Sequence, residues 1–544
     1  MTKFTLVLYI LLYYTAFVLI FRVSVDDSGN CLVSNKLQYR LLTGSKRKSA
    51  ADSVVTNITD SWIDPQVTTI PTEMSANIRT AYDEALYNGE FGLLLNVVPS
   101  SILFGMHTNF KLYSSYVIWS RRIPTEDPWY TKSFIYQRDS WEQSYLELLK
   151  RVKEIYHQSE YNRHFNNSLF RKSKYSTATI RFVNKTDSPF LDAHNICMHP
   201  SYEWKVYLPS GTMNFHYPDD QSFRWTHVLR SVNTKLPKNV NWIENGCYFV
   251  FQPCATRHIG HFVESINHAL LKLRYPSFYP PLTDLYIPKF FSDEFEWSKS
   301  YLQLVLSLFP DNLKPALHLG SSFSAYPAVC FRSAVLVDRV RFHMDGALFA
   351  GFFPLDLMKA TAWRHANVQS RQNGPTHLSL LLVDRKKSRG FTLHDAWEVA
   401  VSYKFMEGLS FQEQLQLFYN SDIVVSPHSA SFINLIFTVP RTAVVECYPP
   451  YFYENWYSNT AMISRVHYIA VSSFVRNGKA MSSWREAEEA YENGRFFFIR
   501  RRFVDNMVSP PRFKMLSAVR DAIEYSKRWR FVYEANDKWS AVFI

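Results

Sequence analysis

The 544-residue chain contains no internal repeat and no low-complexity tract, which argues against a solenoid or propeller. It has no zinc-finger spacing, no HExxH pair and no RNA-binding aromatic signature. Hydrophobic residues make up 47% and aromatics 16%, too apolar for a disordered protein. Acidic residues are the scarcer sign: 48 Asp+Glu stand against 60 Lys+Arg, a formal +12. That balance suits an anionic ligand or surface. The basic residues are scattered in short knots (SKRKS, DRKKSRG, FIRRRF), so no nucleic-acid partner is expected. The length implies two or three folded units.

Charge is missing altogether from Phe4 to Phe21, an eighteen-residue run between Lys3 and Arg22. This is near the length that spans a bilayer, and no A-x-A cleavage signal follows it. An uncleaved signal anchor is favoured over a cleaved signal, and either sends the rest of the chain into the secretory lumen. Three N-x-[ST] sequons at Asn57, Asn166 and Asn184 agree with that compartment as glycosylation sites. So do six cysteines that an oxidising lumen could pair, with fifteen connectivities open. Cys247 and Cys254 are the expected disulfide pair, since they lie close in sequence. The terminal WSAVFI is not a KDEL-type retrieval signal, which favours the Golgi over the endoplasmic reticulum.

The chain reads as a cytosolic tail and anchor (1–22), a polar stem (23–75), a mixed amino-terminal domain (76–370), a carboxy-terminal α/β domain (371–475) and a helical extension (476–544). Within the first domain, Trp141, Tyr145, Leu148, Val152 and Ile155 have helical spacing. In the second, HLSLLLV, DIVV, TAVVECY and VHYIAVS read as parallel strands buried on both faces. LHDAWEVAVSYK, SFQEQLQLFYN, ASFINLIF and YENWYSNTAMISRV read as the helices between them. Ser410 and Glu413 form a capping box at the start of the second. Repeated βα units of this length predict a doubly wound parallel sheet.

In such sheets, ligands sit beyond the carboxyl ends of strands. Three candidates fall there. His428 follows DIVV, where small Ser429, Ala430 and Ser431 would let an anion approach a helix start; the simpler reading is a helix cap. Arg385 and Arg389 follow the first strand, and two guanidinium forks could hold a diphosphate; the simpler reading is a solvated basic loop. Glu446 ends the third strand, where it could bond ribose hydroxyls or simply meet water. Upstream, RHIGHFVESINHALLKL puts Phe262, Ile266, Ala269, Leu270 and Leu273 on one stripe. His261, Ser265 and His268 lie opposite, with Glu264 flanking, as an acid–base set for a cleft. His258, His261 and His268 lack a standard zinc spacing.

These segments together resemble glycosyltransferase family 61. RKKSRG is similar to the family's R-x-x-x-R segment, and GLSFQEQLQLFYNSDIVVSPHSA resembles its F-x-x-Q…D-hydrophobic-G-x-H-G-A run. INLIFTVPRTAVVECYPP and AMISRVHYIAV are similar to the segments that follow, and GHFVESINHALL looks like the upstream H-F-x-D-x-I-N element. The resemblance implies a GT-B architecture, two Rossmann-like domains facing a cleft, with the nucleotide sugar held mainly by the second. It implies inverting transfer from a UDP-sugar, GlcNAc or xylose favoured, to a hydroxyl of a glycan or glycoprotein. Arg385, Arg389, His428 and Ser429 would line the diphosphate, Glu446 the nucleoside, and Glu264, or alternatively His261, would be the base. The chain has no D-x-D triplet, so no metal and no other cofactor is expected. Three departures stand out: Ser429 where the family has Gly, no Asn shortly after Arg389, and Glu264 where the family has Asp. They keep open an inactive, glycan-binding or scaffolding member, and a GDP-sugar enzyme is a third reading. The expected placement is a single-pass type II protein of the Golgi or endoplasmic reticulum membrane.

Overall fold

The structure is a computed structural model that describes residues 24–25, 31–32, 91–96, 110–113, 116–121, 141–157, 179–183, 190–198, 204–207, 214–216, 229–232 and 240–250. Further on it describes 258–274, 279, 282–287, 290, 295–320, 329–337, 352–368, 378–385, 401–440, 442–449, 456–473, 508, 510 and 512–535. The apolar run Phe4–Phe21, the three sequons, Arg389 and Cys254 lie outside the described residues, as does the side chain of Cys247. Among the described residues, no helix is long and apolar enough to cross a membrane. The chain divides into two units, 1–54 and 55–544. In the first, Ser24–Val25 pairs antiparallel with Cys31–Leu32.

The second unit is mixed α/β with two sheets. The nine-stranded sheet has a parallel centre in which Asn241–Val250 lies between Val329–Val337 and Asp284–Ile287. Phe190–Met198 adds antiparallel to Val329–Val337. Cys197 and Cys330 stand directly opposite each other in that register and are joined by a disulfide.

The eight-stranded sheet carries the βα units read from the sequence. Leu380–Asp384, Ile423–Pro427, Ala443–Tyr448 and His467–Ser472 run parallel in that spatial order. Their apolar runs are buried on both faces, as continuous hydrophobic strands must be. On one face Leu380, Leu382, Val425, Val445 and Ile469 pack against Met515, Ala518 and Ala522 of the helix Arg512–Ala535. On the other, Leu381, Val424, Val444 and Tyr468 pack against Phe418, Phe432, Leu435 and Ala461.

Two strands depart from the sequence reading. Val401–Phe405, read as the end of a helix, is an edge strand parallel to Leu380–Asp384. Val401, Tyr403 and Phe405 alternate with Ser402 and Lys404, the period of a half-buried strand rather than a helix. Phe91–Asn96, placed by sequence with the amino-terminal half, pairs parallel with His467–Ser472 and extends the same sheet. Tyr116–Arg121 and Phe110–Tyr113 follow it antiparallel.

Helices follow the expected stripes. Tyr145, Leu148, Val152 and Ile155 of Trp141–His157 are all buried. Phe411–Asn420 begins with the capping box: Ser410 Oγ accepts from the Glu413 amide at 3.2 Å, and Glu413 Oε2 accepts from the Ser410 amide at 2.8 Å. Ala430–Phe437 is a 3₁₀ helix rather than an α-helix; Phe432 to Phe437 are all buried, so no polar face sets a 3.6-residue period. The helix Phe352–His365 ties segments far apart in sequence. Its Lys359 Nζ donates to the carbonyls of Thr438 (3.0 Å) and Ser464 (3.1 Å), and Trp363 Nε1 donates to Phe437 O (2.8 Å). Asp356 accepts from Arg465 at 2.7 Å within the same buried knot.

Candidate active site

The parallel part of the eight-stranded sheet reverses direction at one place. From Leu380–Asp384 the chain moves outward to Val401–Phe405, then returns to the other side as Ile423–Pro427. At such a switch point the outgoing connections diverge and leave a crevice beyond the carboxyl ends of the two central strands. Arg385 and His428 are the residues at those ends. Leu382 pairs with Val425, so three positions on, Arg385 and His428 stand level. Val425 pairs with Val445, and the same count brings Tyr448 to that level. Strand alternation puts Val424, Ser426 and His428 on the face shared by Val444, Glu446 and Tyr448.

Arg385 is fastened by its backbone: its amide donates to Asp384 Oδ1 at 2.7 Å, while Asp384 Oδ2 accepts from Tyr403. Its guanidinium Nη1 is buried and has no hydrogen-bond partner among the described residues. A buried guanidinium N–H without an acceptor is costly, so the position calls for one from outside the described residues.

His428 does not cap the helix; the cap position belongs to Ser429, whose hydroxyl bonds Ser431 instead. The His428 ring turns inward, with Nδ1 2.6 Å from Glu446 Oε1. Its ring stacks on Tyr448 at 5.1 Å and meets Tyr457 at 5.4 Å. Glu446 is fully buried, and its second oxygen accepts from Tyr468 Oη at 2.5 Å. Both oxygens of this carboxylate are therefore engaged within the protein, which fits a partner of His428 better than a contact to ribose.

The upstream segment forms the helix Ile259–Ile266, continued by a 3₁₀ turn Asn267–Leu270. Its apolar stripe is buried as expected. The opposite side is not a solvated polar face, for Glu264, Ser265 and His268 are buried too. His261 keeps 18% side-chain exposure, and its Nδ1 lies 3.1 Å from Glu264 Oε2. His258 accepts the His261 amide on Nδ1 at 3.3 Å and stacks on its ring at 4.0 Å. His268 turns away: its Nδ1–H donates to the Glu264 carbonyl at 2.9 Å, and burial pushes its pKa down to about 4. The three histidines do not converge. No group of three His, Cys, Asp or Glu among the described residues could hold a metal ion.

Gly260 brings the two halves of the site close. A Cβ there would lie 3.3 Å from the His258 ring and 3.9 Å from the Tyr457 hydroxyl. Tyr457 thus touches His428 on one side and approaches the start of the histidine-bearing helix on the other. Two carboxylate–histidine pairs, His261–Glu264 and His428–Glu446, lie on either side of it.

The sequence reading named these four residues in separate roles, not as pairs, and missed the tyrosines around them. Glu446-x-Tyr448 on a buried strand was a usable signal, since both side chains must share a face. It gave no role to Gln414 and Asn434, which stand within the motif stretches it singled out. Gln414 Nε2 donates to the Leu409 carbonyl at 3.0 Å and its Oε1 accepts from Asn434 Nδ2 at 3.0 Å. This brace fixes the 430–437 segment on the helix Phe411–Asn420 and so sets where His428 and Ser429 stand.

No curated protein matches the chain. A family model, Glycosyltransferase 61, does match, over residues 382–445. The matched stretch opens inside the strand Leu380–Asp384, contains Arg385 and His428 and closes one residue before Glu446. With Arg385 and His428 both inside it, the match supports membership of glycosyltransferase family 61 and a glycosyltransferase activity.

Proposed function

We propose that this protein is an inverting glycosyltransferase that moves a sugar, GlcNAc or xylose, from UDP to a hydroxyl of a glycan or glycoprotein without a metal ion. The two sheets are its two Rossmann-like halves in a GT-B arrangement. The observation that carries the reading is Arg385, whose buried Nη1 has no acceptor among the described residues at the switch point, level with His428. A diphosphate supplies such acceptors. Arg385, His428 and, from the loop beyond, Arg389 neutralise it as charge builds on the leaving group, which is electrostatic catalysis by fixed cations.

The acceptor hydroxyl attacks the anomeric carbon, the bond from that carbon to the phosphate oxygen breaks, and its electron pair leaves with UDP. The hydroxyl proton passes to the His261–Glu264 pair. The geometry favours His261 as the proton acceptor, with buried Glu264 holding Nδ1 and stabilising the imidazolium. The basic excess of the chain agrees with an anionic donor. The uncharged run Phe4–Phe21 supports a membrane-anchored enzyme of the Golgi or endoplasmic reticulum with its catalytic part in the lumen.

Thermal stability measured against UDP- and GDP-sugars, with and without EDTA, tests this. A donor at 100 times its Kd stabilises the fold by about 2.7 kcal/mol. The expected result is an EDTA-insensitive shift with one UDP-sugar, lost in Arg385→Ala, and transfer of that sugar to an acceptor. A shift without turnover would instead make the protein a binding member of the family.

A further inference from the structure

We propose that Glu446 and Tyr468 are positioning residues for His428, forming a buried relay that fixes which of its ring nitrogens carries the proton. This rests on the reading of His428 as a contact of the leaving diphosphate. An ionised carboxylate only accepts, so the 2.6 Å contact between Glu446 Oε1 and His428 Nδ1 places a proton on Nδ1. Nε2 is then the nitrogen directed away from the carboxylate. A histidine whose one nitrogen is held this way has a set tautomer and a set ring orientation.

The rest of the relay follows from proton counting. Tyr468 Oη donates its single proton to Glu446 Oε2 at 2.5 Å. The Tyr448 and Tyr468 hydroxyls are 2.9 Å apart, so Tyr448 must donate in that contact. Protons therefore run in one direction, from Tyr448 to Tyr468 to Glu446. Tyr448 also stacks on the His428 ring, so the four residues close a loop around a single imidazole. Tyr457, from the helix Trp456–Ile463, meets the ring as well.

All four residues lie on one sheet face. Val444 pairs with Tyr468, which puts Tyr468 two positions before the partner of Glu446. A tyrosine is long enough to cross that diagonal. The relay supplies His428 with a counter-charge that is present before any substrate arrives. When the diphosphate departs, the imidazolium can then face the new negative charge without rearrangement.

Tyr468→Phe in the full-length protein is the test, because it keeps the ring and removes one donor from the carboxylate. A carboxylate that loses a hydrogen bond takes up its proton at higher pH. The expected result is a kcat reduced about tenfold, a donor KM within about threefold of wild type, and an acid limb of the pH–rate profile moved to higher pH. Tyr448→Phe, which keeps the stacking, should move the limb the same way by less, and serves if Tyr468→Phe does not fold. A profile that overlays the wild type, with any lost rate matching a lost folded fraction, would overturn the proposal. Nitrogen-15 spectra of histidine-labelled, donor-free protein read the relay without turnover. If the wild type transfers no sugar from any donor, the functional reading fails. A His428 protonated on Nδ1, whether on that nitrogen alone or on both, would still support the relay, and one protonated on Nε2 alone would overturn it.

Discussion

Lys359 Nζ lies 3.1 Å from the carbonyl oxygen of Ser464, a hydrogen bond between residues 105 positions apart. With the bond to Thr438 O, this single ammonium serves the carboxyl ends of two helical segments, where a cation is favoured. Its surroundings also cost it: burial pushes the Lys359 pKa down to about 7, with Asp356 opposing and Arg465 adding to the shift. A base whose folded pKa lies below its unfolded value contributes least when both states are charged. Stability therefore rises with pH between about 7 and 10.5, by up to about 1.4 kcal/mol per unit. Wild type should gain over Lys359→Met across pH 7 to 9 in denaturant titrations. A constant difference would mean that the ammonium stays charged throughout.

His268 and His467 set the acid side. Burial pushes their pKa values down to about 4 and about 3, from an ordinary 6.5. As pH falls below 6.5 the unfolded chain takes up protons that the folded chain refuses. Stability is thus present above 6.5 and is lost toward pH 4, each histidine contributing up to about 1.4 kcal/mol per unit. His467→Phe, which can keep the stacking on Tyr525 at 4.1 Å, should flatten the fall in Tm between pH 6.5 and 4.5.

The parallel strands were legible because strands buried on both faces carry continuous apolar runs, as LLLV in Leu380–Asp384, IVV in Ile423–Pro427 and AVV in Ala443–Tyr448 do. Val401–Phe405 was not, because its alternation is five residues long and runs on from a segment with helical periodicity. The position of Arg385 and His428 at strand ends was legible because each directly follows one of the parallel strands. The tyrosine relay was not, since Tyr468 meets Glu446 through a strand pairing, and pairings between distant segments leave no local signature.

His261→Ala should lower kcat by about 10²- to 10⁴-fold, the usual contribution of a general base. Because His258 and Glu264 remain, the donor-induced shift in Tm should survive. Glu264→Gln should cost less than His261→Ala if the carboxylate acts behind the ring, and at least as much if the carboxylate itself takes the proton. Initial rates at saturating donor separate the two.

Cys197 and Cys330 are 133 residues apart, so no spacing argument could have paired them. Their positions in adjacent strands hold the centre of the nine-stranded sheet. Replacing both by Ala should cost about 2–5 kcal/mol, read as a lower denaturant midpoint. Peptide mapping without reductant should recover the linked pair.

The Phe91–Asn96 strand finds its partner, His467–Ser472, about 370 residues later. At a synthesis rate of about 5–20 residues per second, that partner emerges roughly 20 to 75 s after it. Until then the early segment has no parallel neighbour, and the eight-stranded sheet cannot assemble from one contiguous stretch. Maturation of this enzyme is thus a matter of custody: an early segment must be shielded from other strand edges until the last βα unit is made.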